Sequence, residues 1–100
     1  MSVIVVGKFN ADPQRLEAVF AAREKDVLAV SQDSKSQGAL HHCFADADGK
    51  VLVVDEWESA EAFQRFFAAQ SAIPGLMQEV GVQGAPEFSF YPVVQTPGQF

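Results

Sequence analysis

The sequence predicts an α+β sandwich in which a four-stranded antiparallel sheet carries two helices on one face. Three observations carry that expectation. Strand-like and helix-like stretches follow one another in the order β-α-β, β-α-β; an Asp/Gly turn joins the two middle strands; and no linker or low-complexity tract divides the 100 residues. The chain therefore reads as one domain, residues 1–100, inside the single-domain size range.

The first strand is expected over residues 3–9, VIVVGKF, which are β-branched and apolar with no helical spacing. Asp12-Pro13 supplies an N-cap followed by proline at the first helical position, where its missing N–H costs nothing. Leu16, Val19, Phe20, Val27 and Val30 then recur at three- and four-residue steps, with a gap at Arg23. The polar stretch Ser31 to Gly38 is expected to be a loop. Ala39 to Ala45 and Lys50 to Trp57 flank Asp46-Ala47-Asp48-Gly49, a hairpin signal.

Ser59 can cap a second helix, with Glu61 in its first turn and Phe63, Phe66 and Phe67 forming an aromatic stripe at i, i+3, i+4. Ile73-Pro74-Gly75 interrupts that helix, and a short segment, Leu76 to Val80, follows it. Glu87 to Val94 alternates Phe88 and Phe90 on one face, and Pro92 suits a sheet edge. This βαββαβ order is the ferredoxin-like split βαβ sandwich.

Strands one and three read VIVV and VLVV, apolar on both faces, although two helices can cover only one face of a sheet. The simplest cover for the other is a second copy of the same sheet about a two-fold axis, so a homodimer with face-to-face sheets is expected.

Composition excludes several classes of partner. Seven Lys/Arg against thirteen Asp/Glu, a net charge of −6, leave no basic stripe for nucleic acid or for an anionic membrane. The longest apolar run, Val3 to Val6, is far short of the roughly 20 residues that span a bilayer. The first residues lack the basic start and apolar core of a signal peptide. The single cysteine, Cys43, permits neither an internal disulfide nor a thiolate zinc cage. A cytoplasmic location is the expectation.

Gly38-Ala39-Leu40 opens a strand; after the hairpin, Val51-Leu52-Val53-Val54-Asp55-Glu56-Trp57-Glu58-Ser59 runs into Ala60-Glu61-Ala62-Phe63. These residues resemble the antibiotic biosynthesis monooxygenase family of dimeric α/β barrels, whose third strand ends in an acidic-x-Trp-x-Ser pattern that starts the second helix. The motif spans about ten residues, and the order of elements matches over most of the chain. The resemblance implies the same fold and dimer, with a pocket between sheet and helices in each subunit. It also implies oxidation of small aromatic or quinol-like substrates by molecular oxygen without flavin, haem or metal. Other relatives degrade haem. That branch places an asparagine, a tryptophan and a haem-ligating histidine where this chain has Gly7, Phe66 and Leu76, so haem degradation is disfavoured.

Candidate site residues follow from the chemistry asked of such a pocket: apolar walls, one proton acceptor and a group to steady an anion. His41 and His42 are the only histidines, and consecutive strand positions face opposite sides, so one faces the helices and the other the dimer partner. Either can be the general base, and periodicity leaves open which. They cannot share a metal within a subunit, and no metal site is expected; Asp46-x-Asp48-Gly49 has the glycine too early for a calcium loop. Phe44, Phe63 and Phe67 are core residues that would also wall a pocket. Trp57 is a packing residue or a substrate-stacking one, and Tyr91 adds a hydroxyl that can orient a ligand. Arg65 belongs to a solvated helix face or to a pocket rim, where it could pair with a phenolate. Asn10 serves the first turn or reaches a substrate carbonyl. Asp55 reads as structural or as part of the dimer interface. Two further functions remain open beside the oxygenase: a non-enzymatic module that binds an apolar metabolite, and an isomerase or lyase that works by proton transfer alone.

Overall fold

The computed structural model covers residues 1–100. Its elements are β1 (Val3–Asn10), α1 (Pro13–Ala22), α2 (Glu24–Ser36), β2 (Ala39–Ala47), β3 (Lys50–Trp57), α3 (Ala60–Ala69), α4 (Ala72–Val80) and β4 (Gln83–Pro92). The four strands form one antiparallel sheet in the order β2-β3-β1-β4, the ferredoxin-like arrangement. The most apolar strands, β1 and β3, take the two central places, and β4, with its proline, lies at an edge.

Strand register assigns every side chain to a face. Val5 pairs with Asp55 and Phe90, Gly7 with Val53 and Phe88, and Phe9 with Val51, so these residues point together toward the helices. Two apolar clusters fill that side. Phe9, Val51 and Val53 pack with Leu16 and Val80. Val5 and Trp57 pack with Ala62, Phe63 and Phe66. Gly7 is required by this packing, because a Cβ there would lie 2.6 Å from the Phe88 ring and 2.7 Å from Val53. Its missing side chain lets Phe88 lie across the strand.

The first predicted helix is a pair, and the second is followed by a separate one. The first breaks at Arg23, whose φ of −112° and ψ of 33° leave the helical region. Arg23 bonds Asp26 and Glu79, both at 2.8 Å, tying the break to α4. The hydrogen bond to Asp26, then the charge of Glu79, hold its guanidinium above the ordinary arginine range. At the start of α1, Asp12 accepts the Gln14 N–H at 3.0 Å. The expected loop from Ser31 is instead helical to Ser36. The reason is positional: Val27, Val30, Ser31 and Ser34 recur at helical spacing and share a partly covered face, so the serines continue a stripe begun by valines.

The second helix stops at Gln70, and α4 starts at Ala72, earlier than Leu76, with Pro74 in a first turn whose N–H groups have no intrahelical partner anyway. Ser59 caps α3 by accepting the Ala62 N–H at 3.1 Å, and Gly81, at φ 83°, ends α4. The last strand begins at Gln83, four residues before the expected Glu87, where Asn10 pairs with Gln83 beyond a bulge.

The hairpin is tighter than its sequence signal. Ala47 pairs with Lys50, so only Asp48 and Gly49 turn, at φ 55° and 85°, the positive values of a two-residue type I′ connection. Asp46 accepts the Gly49 N–H at 2.8 Å.

The opposite face of the sheet carries no helix. Ile4, Val6, Leu52 and Val54 are half-buried there, beside the exposed Cys43, Ala45, His41 and Tyr91. No helix is long and apolar enough to cross a membrane.

Candidate active site

Between the sheet and the helices lies a cavity of about 210 Å³ lined by 20 residues, 16 of them hydrophobic. Phe44, Val53, Trp57 and Phe88 form its sheet wall; α2 contributes Val27, Val30, Ser31 and Ser34; α3 contributes Phe63, Phe66 and Phe67; α4 contributes Leu76 and Met77. The walls are largely aromatic and locked edge to face. Phe63 meets Trp57 at a centroid distance of 5.6 Å and Phe88 at 5.0 Å, and Phe20 meets Phe44 at 5.5 Å.

Polar chemistry is confined to one spot. Counting outward from the Asp48-Gly49 turn places His42 opposite Asp55, and both side chains point inward. His42 Nδ1 lies 2.6 Å from Asp55 Oδ1. The other carboxylate oxygen, Oδ2, accepts the Trp57 indole N–H at 3.1 Å. Asp55 is 7% exposed, and a carboxylate so placed would be costly without partners; both its oxygens have one. The carboxylate fixes the imidazole: Nδ1 is occupied, which leaves Nε2 as the nitrogen available to a ligand. The Phe44 ring stands edge-on to the imidazole at 4.8 Å. The His42 side chain is 45% exposed, so the dyad sits where the apolar cavity reaches solvent.

The histidines are thus sorted. His41 faces the opposite side, its Nε2 3.8 Å from Glu56, with its side chain 77% exposed. Of the other sequence candidates, Phe44, Trp57, Phe63 and Phe67 border the cavity together with His42. Arg65 is exposed on α3, Asn10 is exposed at the end of β1, and Tyr91 is 55% exposed on the helix-free face; none of the three borders the cavity. Asp55, read from sequence as structural or interfacial, faces the cavity as the partner of His42. The signal that could have found it is the hairpin register, given a two-residue turn. No three His, Cys, Asp or Glu side chains converge in a set that could hold a metal ion.

A second cavity of about 380 Å³ shares Phe9, Phe67, Ile73 and Met77 with the first and lies beside α4 and the start of β4. It is lined by no titratable side chain, whereas the smaller one holds His42 and Asp55.

No family model and no curated protein matches the sequence. Solved structures do match its fold. SnoaB, a cofactor-independent oxygenase from Streptomyces nogalater, is 21% identical, covers 98% of each chain and has a TM-score of 0.63. An antibiotic biosynthesis monooxygenase is 12% identical over 93% of this chain and 99% of its own, with a TM-score of 0.63. Rv0793 from Mycobacterium tuberculosis is 12% identical over 98% and 100%, with a TM-score of 0.60. At these identities the likeness establishes a shared fold from end to end.

Proposed function

We propose that the chain is a member of the antibiotic biosynthesis monooxygenase family and that the cavity is the active site of a cofactor-independent monooxygenase. Its substrate is a small aromatic or quinol-type molecule, and its oxidant is dioxygen. One observation carries the reading: an imidazole whose Nδ1 is held by a buried carboxylate, at the mouth of an otherwise apolar, aromatic-walled cavity. His42 Nε2 takes the proton of a ring hydroxyl, Asp55 stabilises the imidazolium, and the Trp57 N–H keeps Asp55 from turning away. The resulting aryloxide sits among apolar walls that solvate it poorly and leave it electron-rich.

The redox balance needs no external reductant. Electrons pass from the aryloxide ring to dioxygen, a C–O bond forms at a ring carbon bearing hydrogen, and the His42 imidazolium returns its proton to the peroxide oxygen to give a hydroperoxide. Loss of water from that hydroperoxide breaks the O–O bond and leaves a quinone. For a naphthol, one oxygen atom enters the product and the other leaves as water.

The helix-free face supports a homodimer. Ile4, Val6, Leu52 and Val54 form an apolar strip across the two central strands, and an identical strip would cover it. A cytoplasmic location is consistent with the single unpaired cysteine.

The test is oxygen uptake by chelator-treated protein supplied with naphthols and hydroquinones. His42→Ala should lower the rate by about 10²–10⁴, the usual worth of a positioned general base, whereas His41→Ala should keep it. Turnover under anaerobic conditions would instead identify the proton-transfer isomerase. Binding without turnover on a broad panel would leave a ligand-binding module.

A further inference from the structure

The cavity contains one carboxylate–imidazole pair and no other ionisable side chain. Its four non-hydrophobic lining residues are Ser31, Ser34, His42 and Asp55, and no lysine or arginine borders it. Arg15 and Arg23 are engaged elsewhere, with Glu79 on the outside of the helices. Ser34 spends its hydroxyl proton on the Ser31 carbonyl at 2.7 Å. A ligand carrying its own carboxylate or phosphate would therefore bring a second negative charge beside Asp55, in apolar surroundings, with no lysine or arginine to meet it. Transfer of a proton from a ring hydroxyl to His42 is different. It creates the anion and its counter-charge together and leaves the net charge of the site unchanged.

Size narrows the ligand further. A cavity of about 150 Å³ lined by aliphatic and aromatic side chains accepts benzene. The 210 Å³ here leaves space for one ring or two fused rings. Phe9, Phe67, Ile73 and Met77 stand between it and the neighbouring cavity, so a third ring would have to displace them or protrude past His42 into solvent.

Resting on the assignment of this cavity as the substrate site, we propose that it selects uncharged one- or two-ring phenols and rejects the same ring systems bearing a carboxylate. The discriminating elements are Asp55, the absence of lysine and arginine from the wall, and the Phe67/Met77 partition.

The test is anaerobic calorimetry at neutral pH with 2-naphthol, 6-hydroxy-2-naphthoate and 2-anthrol, which separates binding from oxidation. The expected result is binding of 2-naphthol about tenfold or more tighter than the carboxylate, as burial of an unpaired charge requires, with 2-anthrol weaker than 2-naphthol. Carboxylate binding as tight as 2-naphthol, or no 2-naphthol binding, overturns the proposal. Equal affinity for 2-anthrol overturns the size limit. In Asp55→Asn, which keeps an acceptor for Trp57, the preference for the neutral ligand should shrink; an unchanged ratio overturns the electrostatic argument. Tight 2-naphthol binding without oxygen uptake in air upholds the selectivity and sinks the oxygenase reading.

Discussion

Asp55 shows how much one side chain can be asked to do. It accepts from an indole in the core, holds an imidazole at the cavity mouth, and is nearly sealed from water. Replacing it with alanine strands the Trp57 N–H, and an unsatisfied buried donor costs about 1–3 kcal/mol. Urea unfolding of Asp55→Ala should show a loss of that size. His42→Ala should show less, since its side chain is half-exposed and its loss leaves Asp55 open to water. Trp57→Phe separates packing from bonding: the ring contacts with Phe63 and Phe66 can persist while the donor disappears. About 1 kcal/mol of stability should go and, on the proposed oxygenase reading, part of the oxygen-uptake rate with it, because the carboxylate that orients His42 is no longer pinned. Gly7 is the steric counterpart of Asp55. Gly7→Val would set a Cβ against the Phe88 ring and Val53 with two methyl groups still to place, so a lowered melting temperature and a distorted cavity should appear together in thermal-shift and ligand-binding measurements.

The elements differ in how plainly the chain announces them. β1, β3 and the hairpin follow from β-branched runs and an Asp-Gly pair, and these are local signals that tertiary packing reinforces. α3 was legible for the same reason: a serine cap and an aromatic stripe at helical spacing point one way. α2 beyond Val30 was not, because Ser31 and Ser34 lie under the cavity rather than in close-packed core, so small polar residues stand where periodicity looks for apolar ones. The site was legible as residue types but not as a pairing. Two adjacent histidines face opposite ways whatever the fold, and only the length of the turn decides which one meets Asp55. Phe63 ties this level together, touching Trp57, Phe67, Phe88 and Phe90 at once. Phe63→Ala should therefore cost about 3–5 kcal/mol in denaturant melts, the range for a large aromatic lost from a core.

At the scale of the molecule, one sheet presents two unlike surfaces. The side under the helices packs around a cavity that opens beside His42; the other leaves Ile4, Val6, Leu52 and Val54 half-covered. If a second copy completes that cover, Val54→Lys should shift the sedimenting species toward the single subunit and lower its thermal stability, while the His42–Asp55 geometry on the far side stays in place. Both surfaces hang on the same alternation of residues, and the two-residue connection at Asp48-Gly49 sets its phase for β2 against β3. Slipping that pairing by one position would exchange inside for outside along the whole strand. Phe44 would be turned out to water, Cys43 turned in beneath the helices, and the imidazole at position 42 replaced by its neighbour. A bend remote from the cavity thus acts as the address of the imidazole that faces it.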